Sequence, residues 1–190
     1  LAVNRWSEEN EGDASAIQCW TSVQDNYGCA TCLSMSMLSE RLMPSACEVD
    51  VAGAISMYAL ALASGAPPAL LDWNNNYGRE PNKCVGTHCG NYPKSFLGVE
   101  PEISNLDVLG TTIGPEKCFG AVKGKVKPGP MTYFRLSTDD RRGTKQMLDN
   151  FTQRLLLITI LCAIIQAINQ RHIGIFRAGF QNKITEEALV

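Results

Sequence analysis

A capped helix from Val51 to Ala63 narrows the folds open to this chain more than any other segment. Asp50 stands where an N-cap belongs, and Gly65 stands where a left-handed C-cap belongs. Pro67-Pro68 then breaks the chain. Before the helix, Ser45-Ala46-Cys47-Glu48-Val49 forms a short extended piece after the stop at Pro44. After it, the apolar run Ala69–Trp73 has the character of a buried strand. Upstream, Ala16–Val23 is expected as a strand, with Asp25-Asn26 capping a helix over Tyr27–Leu42. Strand, helix, strand, helix, strand in that order predicts an α/β unit with parallel pairing.

The pattern changes after Asn74. Gly, Pro and Asn recur, and short β-like runs appear at Lys83–His88, Ala121–Val126, Met131–Leu136 and Lys145–Leu148. Such runs predict an antiparallel sheet or barrel. A helix at about Arg154–Ile168 and a strand at His172–Arg177 follow. The expected fold is an α/β segment, residues 1–65, followed by a mostly antiparallel β-barrel-like domain, residues 66–190, α+β overall. Residues 1–15 are polar and acidic and are expected as a linker or chain end.

Among 190 residues, 45% are hydrophobic and 19% charged, the balance of a globular protein. A formal net charge of −2 gives no attraction to nucleic acid or to a membrane surface. The most apolar stretch, Leu155–Ile168, spans 14 residues, too few to cross a bilayer. The start, Leu1-Ala2-Val3-Asn4-Arg5-Trp6, has neither the basic beginning nor the apolar run of a secretory signal, and without an initiator Met residues are expected upstream. The eight cysteines, mostly in apolar runs, are expected as reduced buried thiols of a cytoplasmic protein.

Acidic residues at strand ends are the strongest chemical signal. Glu48 lies between a short strand and a helix start, and Asp72 near the end of the next apolar run. In a parallel unit both fall at the carboxyl edge, where open α/β sheets bind ligands. Two carboxylates there repel unless a proton or cation lies between them. The alternative is that each merely caps a helix or turn. His88, beside Gly86 and Gly90, and His172 are the two histidines available as further ligands. Either is equally read as an ordinary core or surface histidine. A rival reading joins Cys29 and Cys32 with Cys84 and Cys89 in a structural zinc site. Asn74-Asn75-Asn76 is expected as a turn, or as a polar lip for sugar hydroxyls beside Trp73.

Several motifs, in order, resemble one family. Ala46-Cys47-Glu48-Val49-Asp50-Val51-Ala52-Gly53-Ala54, Leu71-Asp72-Trp73-Asn74-Asn75-Asn76 and His88-Cys89-Gly90-Asn91 resemble the C-terminal half of L-fucose isomerase-like proteins, in the L-fucose/L-arabinose isomerase family. Gly120–Tyr133 and Ser137-Thr138-Asp139-Asp140 extend the likeness, which runs from about Ile17 to Lys145. The 24 positions between Glu48 and Asp72 agree with the family's pair of metal-binding acids. The resemblance implies an aldose–ketose isomerase of the L-fucose or D-arabinose type, using Mn²⁺ or a similar divalent cation and an enediol. It implies Glu48 and Asp72 as catalytic and metal-binding acids, with His88 or His172 completing the ligands. It also implies a β-barrel for residues 66–190, a sugar as partner, and a cytoplasmic homo-oligomer for a longer form of the protein. After Lys145 the likeness fades, and the family's N-terminal domains are absent. A sugar-binding fragment without turnover therefore stands as the alternative.

Overall fold

The computed structural model describes residues 2–129, 131–136 and 174–177. The expected capped helix is present, Val51–Ser64. The Asp50 carboxylate accepts a hydrogen bond from the Gly53 N–H at 2.7 Å, satisfying one otherwise orphaned donor. Gly65, at φ 64, closes the helix by donating its N–H to the Ala61 carbonyl. Asp50→Ala is expected to destabilise the fold by about 1 kcal/mol. Denaturant melts would show this as a lower midpoint at unchanged slope.

Short helices and strands lead up to this helix. The chain opens with α1 (Ala2–Glu9), where a polar linker was expected. Ser7 is buried, and an Asn4–Glu8 contact at 2.7 Å spans one turn. Strand β1 covers only Ser15–Ala16, because helix α2 (Ser22–Tyr27) begins within the stretch expected to be extended. The single helix expected over Tyr27–Leu42 is divided. Gly28, at φ 67, ends α2 as a left-handed cap, and α3 resumes at Cys32–Glu40. Between them the Ala30 N–H donates to the Phe119 carbonyl at 2.8 Å, so a tertiary bond holds the break open. Strand β2 (Ser45–Ala46) pairs in parallel with β1, and the capped helix that follows is α4.

The third expected member of the α/β unit does not join that sheet. Strand β3 (Asp72–Tyr77) pairs antiparallel with β4 (Glu80–Thr87) instead. Asp72 therefore begins a strand rather than ending one. Pro67 and Pro68 carry no N–H, so no ladder can form there, and Leu70 packs by side chain against the core. Asn74-Asn75-Asn76 lies within β3, where the pairing is interrupted twice by register shifts. The turn is Gly78-Arg79, with Gly78 at φ 58. Strand β5 (Glu102–Asn105) precedes helix α5 (Asp107–Ile113) and pairs antiparallel with β6 (Phe119–Lys123). Strand β7 (Gly174–Arg177) joins β4 on the side away from β3, where a strand over His172–Arg177 was expected.

The architecture is mixed α/β. Among the described residues the sheets are small, ordered β1-β2, β3-β4-β7 and β5-β6, and none closes into a barrel. Residue 131 makes an isolated bridge where a strand over Met131–Leu136 was expected, while the strand at Lys145–Leu148 and the helix at Arg154–Ile168 fall outside the described residues. Among the described residues no helix is long and apolar enough to cross a membrane.

The largest buried cluster draws on both halves of the chain. Cys19, Cys32, Met35 and Cys47 meet Leu106, Leu109, Cys118 and Ala121. Burying this apolar surface contributes on the order of 25 cal/mol per Å² removed from water. Its unusual share of cysteine places several thiols directly under the candidate site.

Candidate functional site

Glu48 follows β2 at the carboxyl end of the parallel pair. Its backbone is left-handed, φ 60, and so is that of Val49, φ 55. Left-handed backbone costs an L-residue roughly 1–2 kcal/mol, and it persists only where surroundings enforce it. Here three bonds do so. The Glu48 N–H donates to the Cys19 sulfur at 3.3 Å, the Val49 N–H to the Ile17 carbonyl at 3.1 Å, and the Asp50 N–H to the Cys47 carbonyl at 3.0 Å. The result is alternation across the peptide: Cys47 is fully buried and Glu48 is exposed.

Asp72 and His88 come together through the hairpin. Register pairs Asp72 with Thr87, so the next residue, His88, lies beside it. His88 Nδ1 stands 3.0 Å from Asp72 Oδ2, with the histidine side chain 2% exposed and the aspartate 58%. Burial opposes charge on the imidazole, but Asp72 and Cys89 outweigh it and raise the His88 pKa to about 10.

Electrostatics tie Glu48 to this pair. Desolvation of its carboxyl, then the negative charge of Cys89, raise its proton affinity above the ordinary carboxylate range. Asp72 pushes in the same direction, and His88 opposes. Two carboxylates and an imidazole from separate segments thus share one electrostatic neighbourhood. Such oxygen and nitrogen donors suit a divalent cation such as Mn²⁺. Among the described residues, the group whose ligand atoms lie within reach of one ion is Cys47, His88 and Cys89, and it includes neither Glu48 nor Asp72. His172 lies outside the described residues.

The cysteines are arranged differently from the expected zinc quartet. Cys29 is exposed, Cys32 is buried with its thiol 3.8 Å from the Cys89 carbonyl oxygen, and the Cys84 side chain falls outside the described ones. A different group assembles instead. Cys47 Sγ lies 3.0 Å from Cys19 Sγ and 3.2 Å from Cys89 Sγ. Ligand atoms of Cys47, His88 and Cys89 all lie within 4.8 Å of one another. The surrounding thiols hold Cys89 far toward the thiolate, while Cys47 is pushed up through its bonds to Cys19 and Cys89 and by burial. Sequence spacing could not bring Cys19, Cys47 and Cys89 together. The available signal was adjacency: Cys47 precedes Glu48 and Cys89 follows His88.

Comparison with known proteins bears on the family. Residues 86–148 match the family of the L-fucose isomerase C-terminal domain. A sulfoquinovose isomerase of Alkalicoccus urumqiensis is 34% identical over 140 residues, covering 71% of this chain and 29% of that protein. Sulfoquinovose isomerases of Priestia aryabhattai and Priestia megaterium are each 32% identical over 139 residues, with the same coverage. The chain thus spans about 29% of the length of these curated relatives. No solved structure matches it. By its matched domain and by these identities, the chain belongs to the L-fucose isomerase-like family.

Proposed function

We propose that this chain is a portion of an aldose–ketose isomerase in which Glu48 and Asp72 move a proton between C1 and C2 of an open-chain sugar, through an enediol. What supports the reading is the chain's membership of an isomerase family, together with the 3.0 Å contact between Asp72 and His88. A base for this reaction must take a weakly acidic proton and return it. Glu48, whose proton affinity is raised, is suited to hold that proton between the two steps. Asp72 is open to solvent and anchored at one oxygen by His88, which orients it toward the same space. Glu48 and Asp72 would hold Mn²⁺ or a similar cation, with His88 or His172 as a further donor. When bound, such a cation supplies Lewis-acid stabilisation of negative charge on the sugar oxygens.

The names of the relatives put sulfoquinovose first among candidate substrates, ahead of L-fucose and D-arabinose. Within the same reading, residues 1–65 are the end of an α/β domain carrying the first acid. Residues 66–190 are the C-terminal β-barrel-like domain. A longer form works in the cytosol as a homo-oligomer on a sugar substrate.

The test is on the chain itself. Metal-free protein is titrated with Mn²⁺ by electron paramagnetic resonance, then incubated with each sugar in D₂O. One tightly bound Mn²⁺ per chain and deuterium appearing at C2 are expected. Absence of both saturable Mn²⁺ binding and exchange would rule the reading out. The chain's short span relative to its relatives favours one second reading, a sugar-binding fragment without turnover. That reading gives sugar binding by calorimetry with no deuterium at C2.

A further inference from the structure

We propose that Cys47, His88 and Cys89, with Cys19 at the fourth corner, form a second metal site, one for a thiophilic divalent cation and for zinc in particular. It adjoins Glu48 through Cys47 and Asp72 through His88, and it does not depend on the isomerase reading.

Three observations converge on this cluster. The first is the donor set. Two thiol sulfurs and one imidazole, from three points on two distant segments, have ligand atoms within 4.8 Å of one another. Cys19 offers a third sulfur, 3.0 Å from that of Cys47 but outside the group of atoms within 4.8 Å of one another, so it would have to swing toward the ion. Three sulfurs and a nitrogen are a recognised tetrahedral set for zinc. Zn–S bonds of ~2.3 Å put ligand sulfurs roughly 3.7–3.8 Å apart. The separations of 3.0 and 3.2 Å here therefore need to open by less than ~1 Å.

The second observation is the histidine. Its side chain is 2% exposed, yet the buried Nε2 has no hydrogen-bond partner. Buried polar nitrogens are rarely left so, and one that is needs an explanation. Nδ1 faces the Asp72 carboxylate at 3.0 Å. That contact orients the ring through Nδ1 and leaves Nε2 as the nitrogen available to an ion once its proton is released. A carboxylate holding the far nitrogen of an imidazole is the usual support of a histidine that binds zinc. Asp72 then acts here as a positioning residue.

The third is rigidity. Cys47 follows a parallel strand and is fully buried. The Cys19 sulfur accepts the Glu48 N–H at 3.3 Å, so ion binding and the left-handed turn at Glu48 are mechanically linked. Soft sulfur donors select zinc over manganese, whereas carboxylates accept either.

The experiment uses the whole chain, made metal-free and reduced. Co²⁺ and then Zn²⁺ are titrated, and the zinc-loaded protein is studied by X-ray absorption at the zinc edge. One equivalent is expected to bind, with a thiolate-to-cobalt charge-transfer band and a zinc shell of two or three sulfurs and one nitrogen. Cys47→Ser and Cys89→Ser should each weaken zinc binding at least a hundredfold. Asp72→Asn should weaken it about 10–100-fold. Cys29→Ser, at an exposed thiol, should leave it unchanged. Far-ultraviolet dichroism checks that each variant is folded, and the wild-type absorption result stands without any variant. An oxygen-only zinc shell, or no charge-transfer band, overturns the proposal. Glu48→Gln separates the two sites: it should remove Mn²⁺ binding and keep zinc. Zinc lost with Glu48→Gln but retained in Cys47→Ser would mean the ion sits at the carboxylates, again overturning the second site.

Discussion

Glu48→Gln is expected to lower both Mn²⁺ affinity and sugar turnover by at least about a hundredfold, since general acid–base groups contribute typically ~10²–10⁴-fold. The amide keeps the shape of the side chain and removes its charge and its basicity. A sharper comparison replaces Glu48 by Gly and by Ala. Both lose function equally. Their stabilities differ, because φ at this position is 60 and only glycine adopts that backbone without strain. Relief of a left-handed residue is worth roughly 1 kcal/mol or a little more, so Glu48→Gly should melt above Glu48→Ala by about that amount. Glycine's larger unfolded-state entropy opposes part of the gain. A functional residue held in strained backbone is the arrangement in which activity and stability oppose each other. Thermal melts of the two variants decide the matter: an alanine variant as stable as the glycine one would show that the turn is relaxed. Loss of function without loss of Mn²⁺ would instead place Glu48 in proton transfer alone.

Met35→Ala should produce the largest loss of stability, about 2–5 kcal/mol. Met35 is 0% exposed on α3 and packs among Cys19, Cys32, Cys47, Leu109 and Cys118. Truncation there loses transfer energy and leaves a cavity that neighbours on four separate segments cannot all collapse into. For a chain of this size each kcal/mol corresponds to about 2–4 °C, so the melting temperature should fall on the order of 10 °C. Met37 is the internal control. It lies two residues on, faces outward and is 50% exposed. Met37→Ala should stay within about 0.5 kcal/mol of the parent protein. Because Cys47 shares the cluster with Met35, Met35→Ala should also weaken metal binding, in proportion to its loosening of β2. Equal effects at the two methionines would refute the assigned core.

How much of this was legible in advance varies by element. The α4 helix could be read outright, since Asp50 and Gly65 act through local hydrogen bonds to their own chain. The break at Gly28 was also present in the residues, but helical spacing on either side masked it. Only the Ala30–Phe119 bond, 89 positions apart in the chain, makes the break decisive. Asp72 was assigned to the end of a parallel strand, and it begins an antiparallel one. Apolar Ala69–Leu71 has the composition of a strand, yet the strand starts only at Asp72 and pairs with β4.

The sequence by itself determined the caps of α4 and the family, because each depends on residue type and short-range order. Tertiary structure alone decided which residues meet. Only hairpin register sets Asp72 against His88, and only the parallel β1–β2 pair carries Cys47 to Cys19. It also decided direction: the left-handed turn at Glu48 and Val49 leaves Cys47 buried against sulfur and Glu48 exposed. Spacing along a chain cannot encode such meetings, since they arise from packing among segments whose separation in sequence is arbitrary.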